Sequence, residues 1–425
     1  MKIIRTNGKS ERQAAKLLAS LQHRGRAALD TVLPAVRRIV SDVRKQGDRA
    51  LMRYAAQFDG LTEPATLRVT PEEMAAAWEV ISPSLRAALI TAESQIRNFA
   101  LRQLPPSWND DGPMPGLMTG QLVRPLSSVG CYVPSGRHPL PSTLLMTAIP
   151  AQVAGVLRIV VVSPKPATET LAAAHLLGIK EFYCLGGAQA VAALAYGTAT
   201  IGSVDKIVGP GNLYVTAAKR LVAFDCGIDM LAGPTEIVVT SERGLPADIA
   251  ADLVAQAEHD PESLAIFITN KHDLAKAVVV ETKLRCRDNP VAHESLSRKG
   301  VVFITGSYEE SCDITNMLAP EHLTVDSRAD LDWVLNAGSV FIGRWSAQPM
   351  GDYISGPNHT LPTGGMARVR GGLSVNDFIK LITVQEYSAS ALRTLGPKAA
   401  LLAEAEGLIG HAEAIRTRLQ RRSRG

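Results

Sequence analysis

Arg158-Ile159-Val160-Val161-Val162-Ser163, a helical stretch running to Leu177, then Glu181-Phe182-Tyr183-Cys184-Leu185 and a second Ala-rich stretch decide the fold. Short β-branched runs separated by helix-forming text are what parallel βαβ units require. A strand buried on both faces needs a continuous apolar run, and its crossover needs a helix. Working outward, the same alternation continues through Lys206 to Val208, Glu236 to Thr240, Ala265 to Thr269 and Val301 to Thr305. The core is therefore expected to be α/β with parallel sheets. Upstream, Val36, Ile39, Val40 and Val43 recur at helical spacing, and Leu51, Tyr54, Ala55 and Phe58 repeat the pattern beyond Gly47, so the first hundred residues read as helices. Polar, Gly-poor text after about Asn376 reads as a helical tail. Gly- and Pro-rich joints at Tyr132-Val133-Pro134-Ser135-Gly136 and Ala232-Gly233-Pro234-Thr235 are candidate crossings between two α/β domains.

A chain of 425 residues exceeds the size at which one hydrophobic core keeps growing, which agrees with more than one domain. Its 46% apolar and 20% charged residues are those of a packed globular protein. A net charge of only +4, with the basic residues spread out except for Arg418, Arg421, Arg422 and Arg424, argues against nucleic acid as a partner. No run is long and apolar enough for a membrane span and no leader pattern opens the chain, so a cytoplasmic protein is expected. Five scattered cysteines without CxxC spacing suggest reduced thiols and exclude a cysteine-built zinc site. Cys131 could trap an aldehyde, although a small buried side chain is the better reading.

Loops after parallel strands are where ligands bind, and two are rich in glycine. Gly186-Gly187-Ala188-Gln189 and Gly209-Pro210-Gly211-Asn212 each follow a strand and open a helix. Either could present backbone N–H groups to a phosphate, or be a tight turn and nothing more. Gln256 and His259, three apart at the end of a helix, share a face and could both bind zinc, but alone they read as a polar helix end. Asp352 and His359 sit in a turn-rich loop, and Glu406 and His411 stand five apart around Gly407 and Gly410, which suggest a helix break. Glu321 and His322 are adjacent. Neighbours in extended backbone face opposite ways, which would allow two separate proton-transfer roles; a surface pair is the alternative.

Taken together, Tyr132-Val133-Pro134, Gly186 to Gln189, Gly209 to Asn212, Ala232-Gly233-Pro234-Thr235-Glu236, Gln256-Ala257-Glu258-His259, Ala319-Pro320-Glu321-His322, Gly351-Asp352-Tyr353 and Asn358-His359 stand in the order found in histidinol dehydrogenases, which the chain resembles over nearly its whole length. The resemblance implies two incomplete Rossmann-like parallel-sheet domains: residues 25–127 with 236–375, and an NAD-binding domain at 128–235. A helical segment at 1–24 would precede them, and a helical tail at 376–425 would be exchanged between the subunits of a homodimer. It implies one Zn2+ per subunit on Gln256, His259, Asp352 and His411, with Glu321 and His322 as proton acceptors. Thr235, His359 and Glu406 would contact substrate beside His322 and the metal ligands, Glu406 and His411 acting in trans, while Tyr132, Gln189 and Asn212 would line the NAD site. The implied reaction is oxidation of L-histidinol to L-histidine through the aldehyde with reduction of two NAD. Ser135 and Thr235 depart from residues common in the family, and another small alcohol is the alternative substrate. A binding protein without turnover would have no use for a base beside a metal-held substrate.

Overall fold

The computed structural model describes residues 1–22, 24, 29–61, 67–112, 114–135 and 139–420; Gly136 of the first joint and the basic Arg421, Arg422 and Arg424 lie outside them. In chain order the strands are β1 (Lys2–Arg5), β2 (Arg68–Val69), β3 (Trp108–Asp110), β4 (Leu117–Pro125), β5 (Ser128–Tyr132), β6 (Arg158–Val162), β7 (Glu181–Tyr183), β8 (Lys206–Val208), β9 (Gly227–Ile228), β10 (Glu236–Thr240), β11 (Leu264–Thr269), β12 (Val301–Ile304), β13 (His322–Val325), β14 (Ser339–Ile342) and β15 (Ile379–Tyr387). The chain divides into two compact units, Met1–Gln103 with Leu126–Phe378, and Leu104–Pro125 with Ile379–Gly425.

The first unit holds two six-stranded sheets. One runs β1-β12-β11-β10-β13-β14, parallel throughout. The other runs β2-β7-β6-β5-β8-β9, parallel except where β2 meets β7. All residues of β10 and β11 are buried, which is why these strands read as unbroken apolar runs rather than alternating ones. In each sheet the chain order reverses at one place, between β5 and β8 in one and between β10 and β13 in the other. The segment after β9 carries the chain from the carboxyl end of one sheet to the amino end of the other. Helix Pro141–Ala154 is buried nearly all round, as its apolar composition requires, and opens on a proline where no N–H is needed.

The second unit is a three-stranded antiparallel sheet, β15-β4-β3, with helices Ala389–Ala405 and Ile409–Gln420. The break expected near Gly407 is there: that residue has φ +77°, a left-handed conformation suited to glycine, directly after Glu406 ends the helix. Three strands fall in text read as helical. β1 and β2 have four and two residues, too few to show a period, and are ordered by sheet pairing instead. β15 was visible in principle, since Ile379, Ile382, Thr383 and Val384 are β-branched. Among the described residues no helix is long and apolar enough to cross a membrane.

Candidate active site

Thr235 immediately precedes β10 and Glu321 immediately precedes β13, so the site grows from the amino ends of two neighbouring strands at the place where the strand order reverses. The carboxyl-end expectation applies to Tyr132 and the glycine loops of the other sheet but not to this pair. The turn into β13 is strained: Ala319, which ends helix Tyr308–Leu318, has φ +47°, a conformation costing a side-chain-bearing residue about 1 kcal/mol. Pro320 then prevents the helix from continuing and delivers Glu321 and His322.

Glu321 and His322 are both buried. The Thr235 hydroxyl and the Glu236 backbone N–H donate to Oε2 of Glu321, at 2.6 and 2.7 Å. The Gln256 side-chain amide donates to the Thr235 hydroxyl oxygen, which leaves Gln256 Oε1 buried without a hydrogen-bond partner. His322 Nδ1 donates to the Glu236 carbonyl at 3.0 Å, and its Nε2 has no hydrogen-bond partner. The two adjacent residues do not face opposite ways as expected. Glu321 Oε2 lies 3.6 Å from His322 Nδ1, because Glu321 belongs to the turn and strand alternation begins only at His322.

His322 lines a cavity of about 450 Å3 together with Asp352, His359, Asn358, Phe341 and Met350. Asp352 Oδ1 is 3.6 Å from His322 Nε2, and its Oδ2 accepts from the buried Gln348 side chain at 3.1 Å. His359 Nδ1 donates to the Asp352 backbone carbonyl at 2.8 Å, and its Nε2 is 3.4 Å from the Thr143 hydroxyl on helix Pro141–Ala154. Burial works against charge on His322, but the carboxylates of Glu321 and Asp352 outweigh it and push the imidazole up to about 10. At that value the ring already carries its proton at neutral pH, and relief of the Asp352 charge would bring it down towards the range in which Nε2 can accept one. For Asp352, burial works upward but is outweighed by His322, followed by His359 and His259, so the carboxylate is held below its ordinary range. Burial lowers His359.

His259 is exposed and lies beyond the last helical residue, Ala257, in a turn and not on the helix face inferred from spacing. Pro261 disfavours helical backbone at Asp260 and ends the element. Among the described residues no three His, Cys, Asp or Glu side chains form a metal cage. The donors nevertheless suit a divalent cation: Gln256 Oε1 is an unsatisfied buried acceptor, and His259 is close enough to Asp352 to influence its charge. Glu406 and His411 belong to the second unit, where both are exposed.

The loops of the other sheet are held by the residues singled out there. Tyr132, 3% exposed, accepts from the Gly187 N–H at 3.1 Å. Gln189, 1% exposed, donates to Asp59 at 3.0 Å. Asn212 caps helix Leu213–Val222 by accepting from the N–H groups of Tyr214 and Val215. Gly209, at φ +111°, allows no side chain, since a Cβ would stand 2.1 Å from the Tyr132 carbonyl oxygen. These loops sit at the carboxyl ends of β5, β7 and β8, of which β5 and β8 flank the reversal of strand order.

Three features escaped the sequence. Arg24, Glu236 and Gln348 hold site residues, yet their partners are distant in sequence or their roles are carried by backbone atoms. A charged residue opening the apolar strand Glu236–Thr240 was the one available signal. Asp252, one turn before Gln256, accepts from the Gln348 backbone N–H at 3.4 Å and is pushed by burial from 3.8 up to about 6. A carboxyl raised on folding favours the folded state while protonated, and that contribution is lost as pH rises through about 6. Asp252→Asn should therefore stabilise the protein by on the order of 2 kcal/mol above about pH 7 and little below about pH 4. Thermal unfolding at both pH values would check this; equal shifts would contradict it.

A buried carboxylate–imidazole pair whose histidine lines a cavity with Asp352 and His359, in a parallel-sheet α/β protein, defines an enzyme with acid–base chemistry at its centre. Comparison with known proteins names the family. A family model described as histidinol dehydrogenase matches residues 22–419. The histidinol dehydrogenase of Methanothermobacter thermautotrophicus is 46% identical over 416 residues, 95% of this chain and 97% of that protein. That of Geobacillus kaustophilus is 46% identical over 402 residues, 91% and 94% of the two chains. The crystal structure of histidinol dehydrogenase from Elizabethkingia anophelis superposes with a TM-score of 0.92 at 34% identity, covering 99% of this chain and 98% of that one. The chain belongs to the histidinol dehydrogenase family and is an oxidoreductase of histidine biosynthesis.

Proposed function

We propose that this chain oxidises L-histidinol to L-histidine through L-histidinaldehyde, dependent on zinc and with reduction of two NAD. The observation that carries this reading is His322, a buried imidazole whose Nε2 has no hydrogen-bond partner and which lines one cavity with Asp352 and His359. Gln256, His259, Asp352 and His411 would hold zinc, which supplies a cation that grips substrate nitrogens and offsets the Asp352 charge beside His322. Tyr132, Gln189 and Asn212 would frame the NAD site, residues 128–235 forming its domain, and NAD supplies the hydride acceptor for both steps.

His322 takes the hydroxyl proton of the substrate CH2OH group at Nε2 as a C–H bond releases hydride and a C=O bond forms. Its Nδ1 stays committed to the Glu236 carbonyl, which fixes the ring's orientation. Glu321 accepts a proton from water as the water oxygen adds to the aldehyde carbon. His322, having passed its first proton to solvent, takes the remaining hydroxyl proton of the hydrate at Nε2 as the second hydride leaves, and a carboxylate results. Alcohol, water and two NAD+ thus give carboxylate, two NADH and three protons. Thr235, His359 and Glu406 hold the substrate. In this reading the protein works in the cytoplasm, where its five unpaired cysteines stay reduced. Cys131 takes no part: it is fully buried and its thiol is pushed up to about 12 by burial, so it carries no nucleophilic thiolate at neutral pH. Cys131→Ser is expected to keep full turnover, and loss of activity in a folded variant would reinstate the thiol.

The tail 376–425 is exchanged between two subunits in this reading. Asp352→Ala and His411→Ala proteins should each be inactive. Mixed dimers of the two contain one intact site, so random re-association should restore about a quarter of the parental activity. No recovery would sink the trans assignment. Activity of zinc-loaded protein on another small alcohol but not on L-histidinol would transfer the reading to that alcohol.

A further inference from the structure

Arg24 reaches both arms of the site at once. Its Nε and Nη2 donate to the two carboxylate oxygens of Glu236, at 2.7 and 2.5 Å, although 212 residues separate the two in sequence. Nη2 also donates to the Leu318 carbonyl at 2.8 Å, and Nη1 to the Leu21 carbonyl at 2.7 Å. Glu236 opens β10 on one side, while Leu318 ends the helix whose turn, Ala319-Pro320, leads into Glu321 and β13 on the other. The Glu236 carboxylate is buried, and the Gly364 N–H donates to it at 2.7 Å.

The peptide groups of Glu236 carry the proton acceptors themselves. Its N–H holds Glu321 at 2.7 Å and its carbonyl holds His322 at 3.0 Å. One residue is therefore gripped through its side chain and grips both acceptors through its backbone. Only a guanidinium can do what Arg24 does here. Its planar fork meets a carboxylate with two parallel bonds and retains N–H groups for carbonyls outside that pair, whereas an ammonium is a single point of charge.

We infer that Arg24 is a positioning residue for the reaction: by tying the start of β10 to the turn before Glu321, it sets the alignment of Glu321 and His322 with the substrate. The inference rests on the reading of Glu321 and His322 as proton acceptors. Displacement of reacting groups by about 1 Å can cost a hundredfold in rate without loss of binding, so the effect belongs in kcat and not in KM.

The test is steady-state kinetics with L-histidinol, together with urea unfolding, on Arg24→Lys and on the double variant Arg24→Met/Glu236→Met. The double variant removes the pair without leaving a buried charge alone. In both, kcat should fall by about 10- to 100-fold with KM within about threefold of parental, and the double variant should keep the parental urea midpoint. A double variant with parental kcat would overturn the inference. So would one that no longer folds, because the pair would then supply stability and not alignment. His322→Ala, measured alongside, separates the two readings. If it keeps turnover, the assignment of the acceptor has failed; if it loses turnover while Arg24→Lys has parental kcat, only the positioning role has failed.

Discussion

His322→Ala is expected to lower turnover of both the alcohol and the aldehyde by about 10²- to 10⁴-fold, the usual contribution of a positioned base. The expectation rests on where the ring's two nitrogens are. Nδ1 is spent on the Glu236 carbonyl, so only Nε2 is free, and it has no hydrogen-bond partner and lies 3.6 Å from Asp352. The carboxylate beside Nε2, Asp352, is held below its ordinary range and is a poor substitute base. The substitution also leaves the Glu236 carbonyl without its donor, at a cost of about 1–3 kcal/mol in stability. Rates should therefore be compared with the variant shown folded by thermal denaturation. Presenting L-histidinol and L-histidinaldehyde separately would locate the loss, and turnover of either within tenfold of parental would remove His322 from the role.

Glu321→Gln is expected to divide the two steps. An amide oxygen can still accept from the Thr235 hydroxyl and the Glu236 N–H, so the turn and the register of His322 should survive. What an amide cannot do is accept a proton from water. Aldehyde oxidation should fall by about 10²- to 10⁴-fold while alcohol oxidation falls by less than about tenfold. Equal losses would contradict the division of labour and assign both proton transfers to one group.

The α/β core was legible because buried parallel strands write themselves as apolar runs: β6, β10, β11 and β12 are found where the runs predict them. β1 and β2 were not, because strands this short draw their order from a partner elsewhere in the chain. The candidate site was legible as a list of residue types in a recognisable order. Its construction was not. Sequence spacing placed His259 on a helix that Pro261 ends earlier, and placed Glu321 and His322 on opposite faces of a strand that begins only at His322. The bonds that hold the pair come from the backbone of Glu236, and backbone atoms leave no trace in residue identity. Arg24 illustrates the same limit at longer range, since nothing local distinguishes it from any other arginine until the fold brings it to Glu236.

The most direct test is the yield of NADH per mole of L-histidinol from the purified protein, before chelation, after chelation and after zinc is restored. Two NADH per L-histidinol, lost on chelation and regained with zinc, is the predicted result. No turnover of L-histidinol by the zinc-loaded protein, or one NADH with the aldehyde released, would contradict the proposed four-electron reaction.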